Sequence, residues 1–241
     1  MKVNLGIAGA SGRIGKILCE LIEQSSDLSL SCGLVSDTSS HSNKNFSTTC
    51  QNSDIWIDFS TPDAFETVLA HCIETETPLV TGTTGLTKKH FKDIEKAAEY
   101  IPILWASNFS ISINLIQQML TRYTKLVDTD VEITETHHIH KKDMPSGTAI
   151  TLARSIKPHG IVKKTDNNNY MLEDIAIHCE RQDEVPGIHK IELDNDSEQI
   201  TIEHSAKNPK IFAQGALNVA RWLIKQSNGQ YTMSEYIDSL D

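Results

Sequence analysis

Lys2-Val3-Asn4-Leu5-Gly6-Ile7-Ala8-Gly9-Ala10-Ser11-Gly12-Arg13-Ile14-Gly15-Lys16-Ile17-Leu18 is the stretch whose reading decides the fold. Lys2 to Ala8 reads as a buried strand, and Ile14, Ile17, Leu18, Leu21 and Ile22 recur at helical spacing. Strand, glycine turn and amphipathic helix together form the setting that a dinucleotide fingerprint requires. Glycines there let the backbone approach a pyrophosphate, and Gly15 would let the helix pack closely on the strand. The spacing is GxxGxxG instead of the commoner GxGxxG, so a plain tight turn competes with this reading. A second strand beyond the helix favours the fingerprint. Gly9, Ala10, Ser11, Gly12, Arg13 and Ile14 are therefore the candidate cofactor-binding residues of this turn.

Working outward, Leu28 to Val35 reads as the second strand, with Leu28, Leu30, Cys32 and Leu34 on one face. Its end should present an acid to the adenosine ribose. Val35 and Ser36 occupy that place, with Asp37 one further on. Asp37 would suit NADH; Ser36 with Arg13 or Lys44 would tolerate the extra phosphate of NADPH. Ile55 to Ser60, Leu79 to Thr81 and Ile103 to Ala106 read as further strands. Helices separate them, the first with Thr61 as N-cap and Pro62 at its first position. Alternating strands and helices predict a parallel, Rossmann-like sheet with right-handed crossovers. Gly82-Thr83-Thr84-Gly85 and Ala106-Ser107-Asn108-Phe109 then fall at carboxyl ends of strands, where open α/β sheets bind ligands.

The chain has 241 residues, 39% hydrophobic and 22% charged, enough for one large or two small cores. No apolar run reaches the length of a membrane span, and no signal peptide is read at the N-terminus. The five cysteines lie far apart without a CxxC pair, which suits reduced thiols and a cytoplasmic location. A net charge of −10 argues against general binding to nucleic acid or anionic membranes. An anionic substrate would need a locally positive pocket.

Glu135-Thr136-His137-His138-Ile139-His140-Lys141-Lys142-Asp143-Met144-Pro145-Ser146-Gly147-Thr148 supplies one. It follows a short strand, Val131 to Thr134, and runs into a helix over Ala149 to Ile156, with Ser146 or Thr148 as N-cap. Imidazoles and ammonium groups thus lead into a helix N-terminus, which favours anions. A solvated basic loop is the bland alternative. Zinc on His138 and His140 is another, but Cys is absent nearby and Lys141 would repel a cation, so no metal is expected. Nucleic acid lacks interleaved aromatics. Ile111 to Lys125 reads as a helix with a core stripe of Ile111, Leu115, Ile116, Met119, Leu120 and Tyr123. Lys157 to Asn169 reads as a loop. From Ile175 the pattern changes to successive strands with one covered face, Ile175–Glu180, Gly187–Leu193 and Gln199–His204. His178, His189 and His204 read as strand or core histidines.

The string E-x-H-H-x-x-K-x-D-x-P-S-G-T-A, here Glu135 to Ala149, resembles the signature of the bacterial dihydrodipicolinate reductase family. Gly82-Thr83-Thr84, Ala106 to Ser110, Gly187-x-His189 and Phe212-Ala213-Gln214-Gly215-Ala216 resemble further family segments. The resemblance covers nearly the whole chain, Gly9 to Ala216. It implies a dinucleotide-binding domain, 1–107 with 213–241, and an α+β domain with a mixed or antiparallel sheet, 108–212, for substrate binding and oligomerisation. It implies reduction of a small dicarboxylate in lysine and diaminopimelate biosynthesis, with NADH or NADPH as cofactor, by a cytoplasmic homotetramer. The cofactor's nicotinamide end is expected at Gly82, Thr83, Thr84, Ala106, Ser107, Asn108 and Phe109. His137 is expected as general acid, Lys141 as its cationic partner or the donor itself, and His138, Gly147 and Thr148 as substrate-binding residues. The family usually has Arg where Pro209 stands, so Lys210 is the candidate replacement. A reductase of another anionic substrate, or a catalytically silent cofactor-binding relative, are the alternatives.

Overall fold

In the computed structural model, residues 2–34, 52–183, 185 and 187–240 are described. Val35, Ser36, Asp37 and Lys44, on which cofactor preference is expected to turn, lie outside them. The chain divides into two compact units, Met1–Phe109 with Lys210–Asp241, and Ser110–Pro209. The junctions fall where helices begin, at Ser110 and Lys210, a few residues from the expected 107/108 and 212/213.

In chain order the elements are β1 (Val3–Ala8), α1 (Arg13–Glu23), β2 (Leu28–Leu34), β3 (Ile55–Asp58), α2 (Pro62–Glu74), β4 (Leu79–Thr81), α3 (Lys88–Ala97) and β5 (Pro102–Trp105). The second unit adds α4 (Ile111–Leu126), β6 (Asp130–His137), α5 (Gly147–Ile156), β7 (Val162–Asp166), β8 (Asn169–Leu172), β9 (Ile175–Arg181), β10 (Ile188–Asp194) and β11 (Gln199–Ser205). The chain then returns to the first unit with α6 (Lys210–Leu223), β12 (Gly229–Tyr231) and α7 (Met233–Asp238).

The first unit is a six-stranded sheet in the order β12-β5-β4-β3-β1-β2, paired in parallel throughout. Its central strands are apolar on both faces because helices cover both. Trp56, Phe65, Val68, Leu79, Ile94 and Ile103 form its core cluster. Thr61 does cap α2, accepting from the Ala64 N–H at 3.4 Å, with Pro62 at the first helical turn. The expected single face of β2 is corrected: Leu30 is 40% exposed. β2 is an edge strand, and its register against β1 shifts between Leu5 and Gly6, which breaks the alternation. Cys19, Cys72 and Cys179 are free thiols. Cys32 is disulfide-bonded, against the expectation of reduced thiols throughout.

The second unit is a six-stranded mixed sheet, β11-β10-β6-β9-β8-β7, antiparallel except for β6 with β9. Leu120, Ile133, Leu152, Leu172, Ile177 and Ile191 are buried together in its core. The stretch expected as a loop, Lys157 to Asn169, contains β7 and turns into β8 through Asn167, which has φ +28°. β7 is a sheet edge with largely exposed residues, so it carries no apolar alternation to read. The α4 stripe is also corrected. Leu115 and Met119 are 47% and 42% exposed, whereas Ile113, Asn114 and Leu120 are buried.

β6 runs three residues past the expected Thr134, to His137. That extension matters, because period-two alternation then continues the inward row Val131, Ile133 with Glu135 and His137. On β9 the inward row Ile175, Ile177, Cys179 is buried and leads to Arg181; on β10 His189 begins the row that continues as Ile191 and Leu193. Glu135 pairs with Cys179 and with His189, and His137 with Arg181. Three neighbouring strands thus end their core faces in ionisable side chains at the same end of the sheet.

Candidate active site

In the first unit the glycine turn sits where β1 separates β2 from β3. Gly9 has φ +78°, a left-handed conformation that suits glycine. A Cβ on Gly15 would stand 2.0 Å from the Gly9 carbonyl oxygen, so α1 starts directly against the turn. Gly12 is the N-cap of α1, and no side chain caps that helix. Its first-turn N–H groups therefore suit an anion. A cavity of about 240 Å³ adjoins the turn, lined by Gly9, Ser11, Gly12, Leu34, Phe59 and Thr61 among others. Backbone approach, uncapped helix start and a partly apolar hollow fit a dinucleotide.

Further along the same sheet edge, Asp58 ends β3 fully buried. It accepts from the Ser60 N–H at 3.0 Å, the Thr81 hydroxyl at 2.8 Å and the Thr83 hydroxyl at 2.7 Å, and from the Ser60 hydroxyl. Burial pushes its carboxyl pKa up, and these donors oppose the shift. The Trp105 indole donates to the Thr83 carbonyl at 3.0 Å, and the Ala106 N–H to the Thr81 carbonyl at 3.1 Å. The turn Gly82–Thr84 and the segment Ala106–Phe109 are thereby fixed beside one another at strand carboxyl ends.

In the second unit the inward polar row surrounds Glu135, which is fully buried. Both its oxygens accept the Ser146 N–H at 3.0 Å, and Arg181 lies 3.4 Å away. Ser146 also caps α5, its hydroxyl accepting from the Ala149 N–H at 3.1 Å. Gly147 and Thr148 hold the first helical positions, at the positive end of the helix dipole, which favours an anion. His137 is buried, its ring edge-on to His189 with centroids 5.1 Å apart. Burial first, then the charges of Lys141, Arg181 and His138, push the His137 pKa down to about 3. Burial and the neighbouring His137, His204 and Lys141 bring His189 down to about 3. The Lys141 ammonium is 2.9 Å from the Asp143 carboxylate. Ligand atoms of Glu135, His137 and His189 lie within 4.8 Å of one another, a spacing that a metal could use. The carboxylate is already held by Ser146 and Arg181, and Lys141 adds positive charge, so the field there favours an anion over a cation. His138 and His140, the expected zinc alternative, have ring centroids 6.2 Å apart.

Residues 3–109 match the family described as "Dihydrodipicolinate reductase, N-terminus", and residues 112–237 the one described as "Dihydrodipicolinate reductase, C-terminus". The 4-hydroxy-tetrahydrodipicolinate reductase of Rickettsia canadensis (strain McKiel) is 40% identical over 237 residues, covering 97% of this chain and 98% of that protein. The chain belongs to the dihydrodipicolinate reductase family. The protein of the same name from Bdellovibrio bacteriovorus is 36% identical over 236 residues, covering 98% of this chain and 96% of its own. A dipicolinate-bound dihydrodipicolinate reductase from Paenisporosarcina sp. TG-14 shares the fold, with TM-score 0.72 and 21% identity over 96% of this chain and 98% of that one. As a member of this reductase family the chain is an NAD(P)H oxidoreductase. Among the described residues, no helix is long and apolar enough to cross a membrane.

Of the family signature, His137, His138 and Lys141 come together with the start of α5 in one unit, where Lys141 and His138 both act electrostatically on His137. The residues expected to bind cofactor, Gly9 to Ile14, Gly82 to Thr84 and Ala106 to Phe109, follow the carboxyl ends of β1, β4 and β5 in the other sheet. Sequence reasoning did not single out Glu135, Arg181 and His189 as members of this polar cluster, nor Asp58 and Trp105 as supports of the turns Gly82–Thr84 and Ala106–Phe109. Lys210, the expected substitute cation, opens α6; Arg181 is the cation that the strand rows bring to His137. For the reductase turn, Gly15→Ala is expected to raise the Kd for reduced nicotinamide dinucleotide at least about tenfold, ~1.4 kcal/mol. Its Cβ would force the turn away from α1. Titration of cofactor fluorescence checks this, and an unchanged Kd would show that the turn does not hold the cofactor.

Proposed function

We propose that the chain reduces the cyclic, unsaturated dicarboxylate derived from 4-hydroxy-tetrahydrodipicolinate to tetrahydrodipicolinate, in lysine and diaminopimelate biosynthesis. The observation that carries this reading is the buried cluster of Glu135, His137 and His189, with the partly buried Arg181, beside Lys141 and an α-helix N-terminus. It offers cations, directed N–H groups and proton-carrying side chains, the needs of a small dianion that must accept a proton. The names of the relatives, and the dipicolinate bound to the Paenisporosarcina reductase, support the same class.

The chemistry that a bound NADH or NADPH would supply is a hydride for C4 of the ring. Gly9 to Ile14 would hold the pyrophosphate, and Gly82 to Thr84 with Ala106 to Phe109 would present main chain and small side chains to the nicotinamide end. His138 and the Gly147 and Thr148 N–H groups bind the substrate carboxylates. His137 and Lys141 deliver the proton to the neighbouring carbon. In the free chain His137 is neutral and Lys141 carries the positive charge. A bound dianion favours the charged imidazole, reversing the electrostatic bias that Lys141 and Arg181 impose. The protein works in the cytoplasm as a homotetramer assembled through the exposed face of the mixed sheet.

Nicotinamide absorbance, followed with NADH and NADPH in parallel, tests the reading, with substrate generated by the preceding synthase from pyruvate and aspartate semialdehyde. Oxidation that requires the complete mixture is the expected outcome. Folded protein that binds cofactor yet oxidises neither would be a silent relative or act on another anion.

A further inference from the structure

The resemblance places chemistry on His137 and Lys141, but the contacts converge on Glu135, the first residue of the same signature. Glu135 is fully buried and faces Arg181 and Cys179 from β9, His137 from its own strand, His189 from β10 and Ser146 from the start of α5. Its Oε2 lies 3.6 Å from His137 Nδ1 and 3.9 Å from His189 Nε2. His137 Nδ1 is buried without a hydrogen-bond partner, so this carboxylate is the acceptor at hand for it. His189 turns instead to the Ser146 hydroxyl, at 3.2 Å from its Nε2. The other ring nitrogen, His137 Nε2, borders Gly187, where a Cβ would come within 3.1 Å of it. Glycine keeps that side of the ring clear.

Arg181 continues the connection into the loop. Its Nη1 and Nη2 each lie 3.4 Å from Glu135 Oε1. Nε donates to the Lys141 carbonyl at 3.2 Å, Nη2 to the Asp143 carbonyl at 2.6 Å and Nη1 to the Glu180 carbonyl at 2.7 Å. One planar fork thus holds the main chain on both sides of Lys142 while its charge balances Glu135. A lysine has the charge but not the fork.

We infer that Glu135, buried, and Arg181, partly buried, are a positioning pair: Glu135 holds the proton of His137 on Nδ1 so that Nε2 faces the substrate, and Arg181 fixes the backbone that carries Lys141. The inference rests on the proposed roles of His137 and Lys141 in proton delivery. It adds two residues that act through His137 and Lys141, and it gives the second unit a reason to keep a charged pair at the end of its core, where an apolar pair would be cheaper.

The test uses the full chain with Glu135→Gln, Glu135→Asp and Arg181→Lys, measuring kcat and KM across pH, thermal stability, and ¹⁵N signals of His137 for the ring tautomer. Glu135→Gln keeps the shape and an acceptor for Ser146 while removing the charge. It is expected to lower kcat roughly ten- to a hundredfold, as loss of an orienting partner does at metal-bound histidines, with KM moving far less. The His137 signal should move away from the Nδ1–H form, and Glu135→Asp should restore part of both. Arg181→Lys should lower kcat without changing the tautomer, separating the two halves of the pair. A purely structural role would move stability alone. Wild-type kcat, pH profile and tautomer in Glu135→Gln, in protein where His137→Gln is impaired, would overturn the inference and leave the proposed function standing. If Glu135→Gln does not fold, a wild-type kcat in Arg181→Lys overturns the loop half, and wild-type tautomer and kcat in Glu135→Asp overturn the other. Wild-type turnover in His137→Gln would instead remove the reading beneath it.

Discussion

His137→Gln and Lys141→Ala are each expected to lower kcat by about 10²–10⁴-fold, the usual worth of a positioned proton donor. The expectation comes from how these side chains are held. His137 ends a strand that is buried along its inner face, so its ring cannot swing into solvent. Lys141 sits on a turn whose main chain is tied to Arg181, with its N–H donating to the His138 carbonyl at 3.1 Å. If the two act as one unit, their effects will not add. The double variant should then be little worse than the poorer single one. The pH profiles carry a second signature. Free protein holds His137 near 3, whereas a bound dianion raises it. The limb that reports the charged imidazole should therefore lie at higher pH in kcat than in kcat/KM, since the first describes the complex and the second the free enzyme. Near-wild-type turnover in both single variants would show that the proton comes from elsewhere.

How much of this was legible in the sequence follows from the range of each interaction. Gly9 to Gly15 could be read because a tight turn, a close backbone approach and a helix start all act within a few residues. Gly82 to Thr84 and Ala106 to Phe109 could be read because parallel strands must end somewhere, and small polar residues marked the ends. Arg181 and His189 could not, since they meet Glu135 only through the registers of β9 and β10 against β6. A signal did exist. Each continues an apolar alternation inward at a strand end, where an ionisable residue is costly unless paired. The β7–β8 hairpin and the true face of α4 escaped for the opposite reason. Edge strands and exposed helix flanks need no apolar pattern, and Leu115 and Met119 show that apolar residues also occur outside.

The cluster proposed to serve chemistry should also make the fold sensitive to mild acid. His137 and His189 are both held near 3, against 6.5 for the ordinary side chain, and burial also lowers His204, which pairs across from His189. A depressed folded-state pKa means that the unfolded chain takes up the proton first. The stability is therefore fully present above about 6.5 and is lost progressively as pH falls from there toward 3. The full linkage slope is ~1.4 kcal/mol per pH unit for each histidine. A part of that slope, acting on the pair between pH 6.5 and 5, removes on the order of 1–3 kcal/mol from a total that is typically 5–15 kcal/mol. Asp58, whose carboxyl burial pushes up, works in the opposite sense. Asp27 and Asp174, held below their ordinary values by Arg221 and Lys157, lose their contribution only at lower pH, in the carboxylate range. Urea unfolding of the wild type at pH 7, 6 and 5 should show a falling midpoint, and His189→Gln should flatten that fall. Equal slopes in both would mean that His189 is not held neutral. A dianionic ring dicarboxylate should also protect the wild type more at pH 5 than at pH 7, because the charge that destabilises the free cluster is the charge the ligand binds. The acid-labile cluster and the proposed substrate-binding cluster are then one set of side chains, and the cost in stability is the consequence of burying neutral imidazoles beside the charges of Lys141 and Arg181.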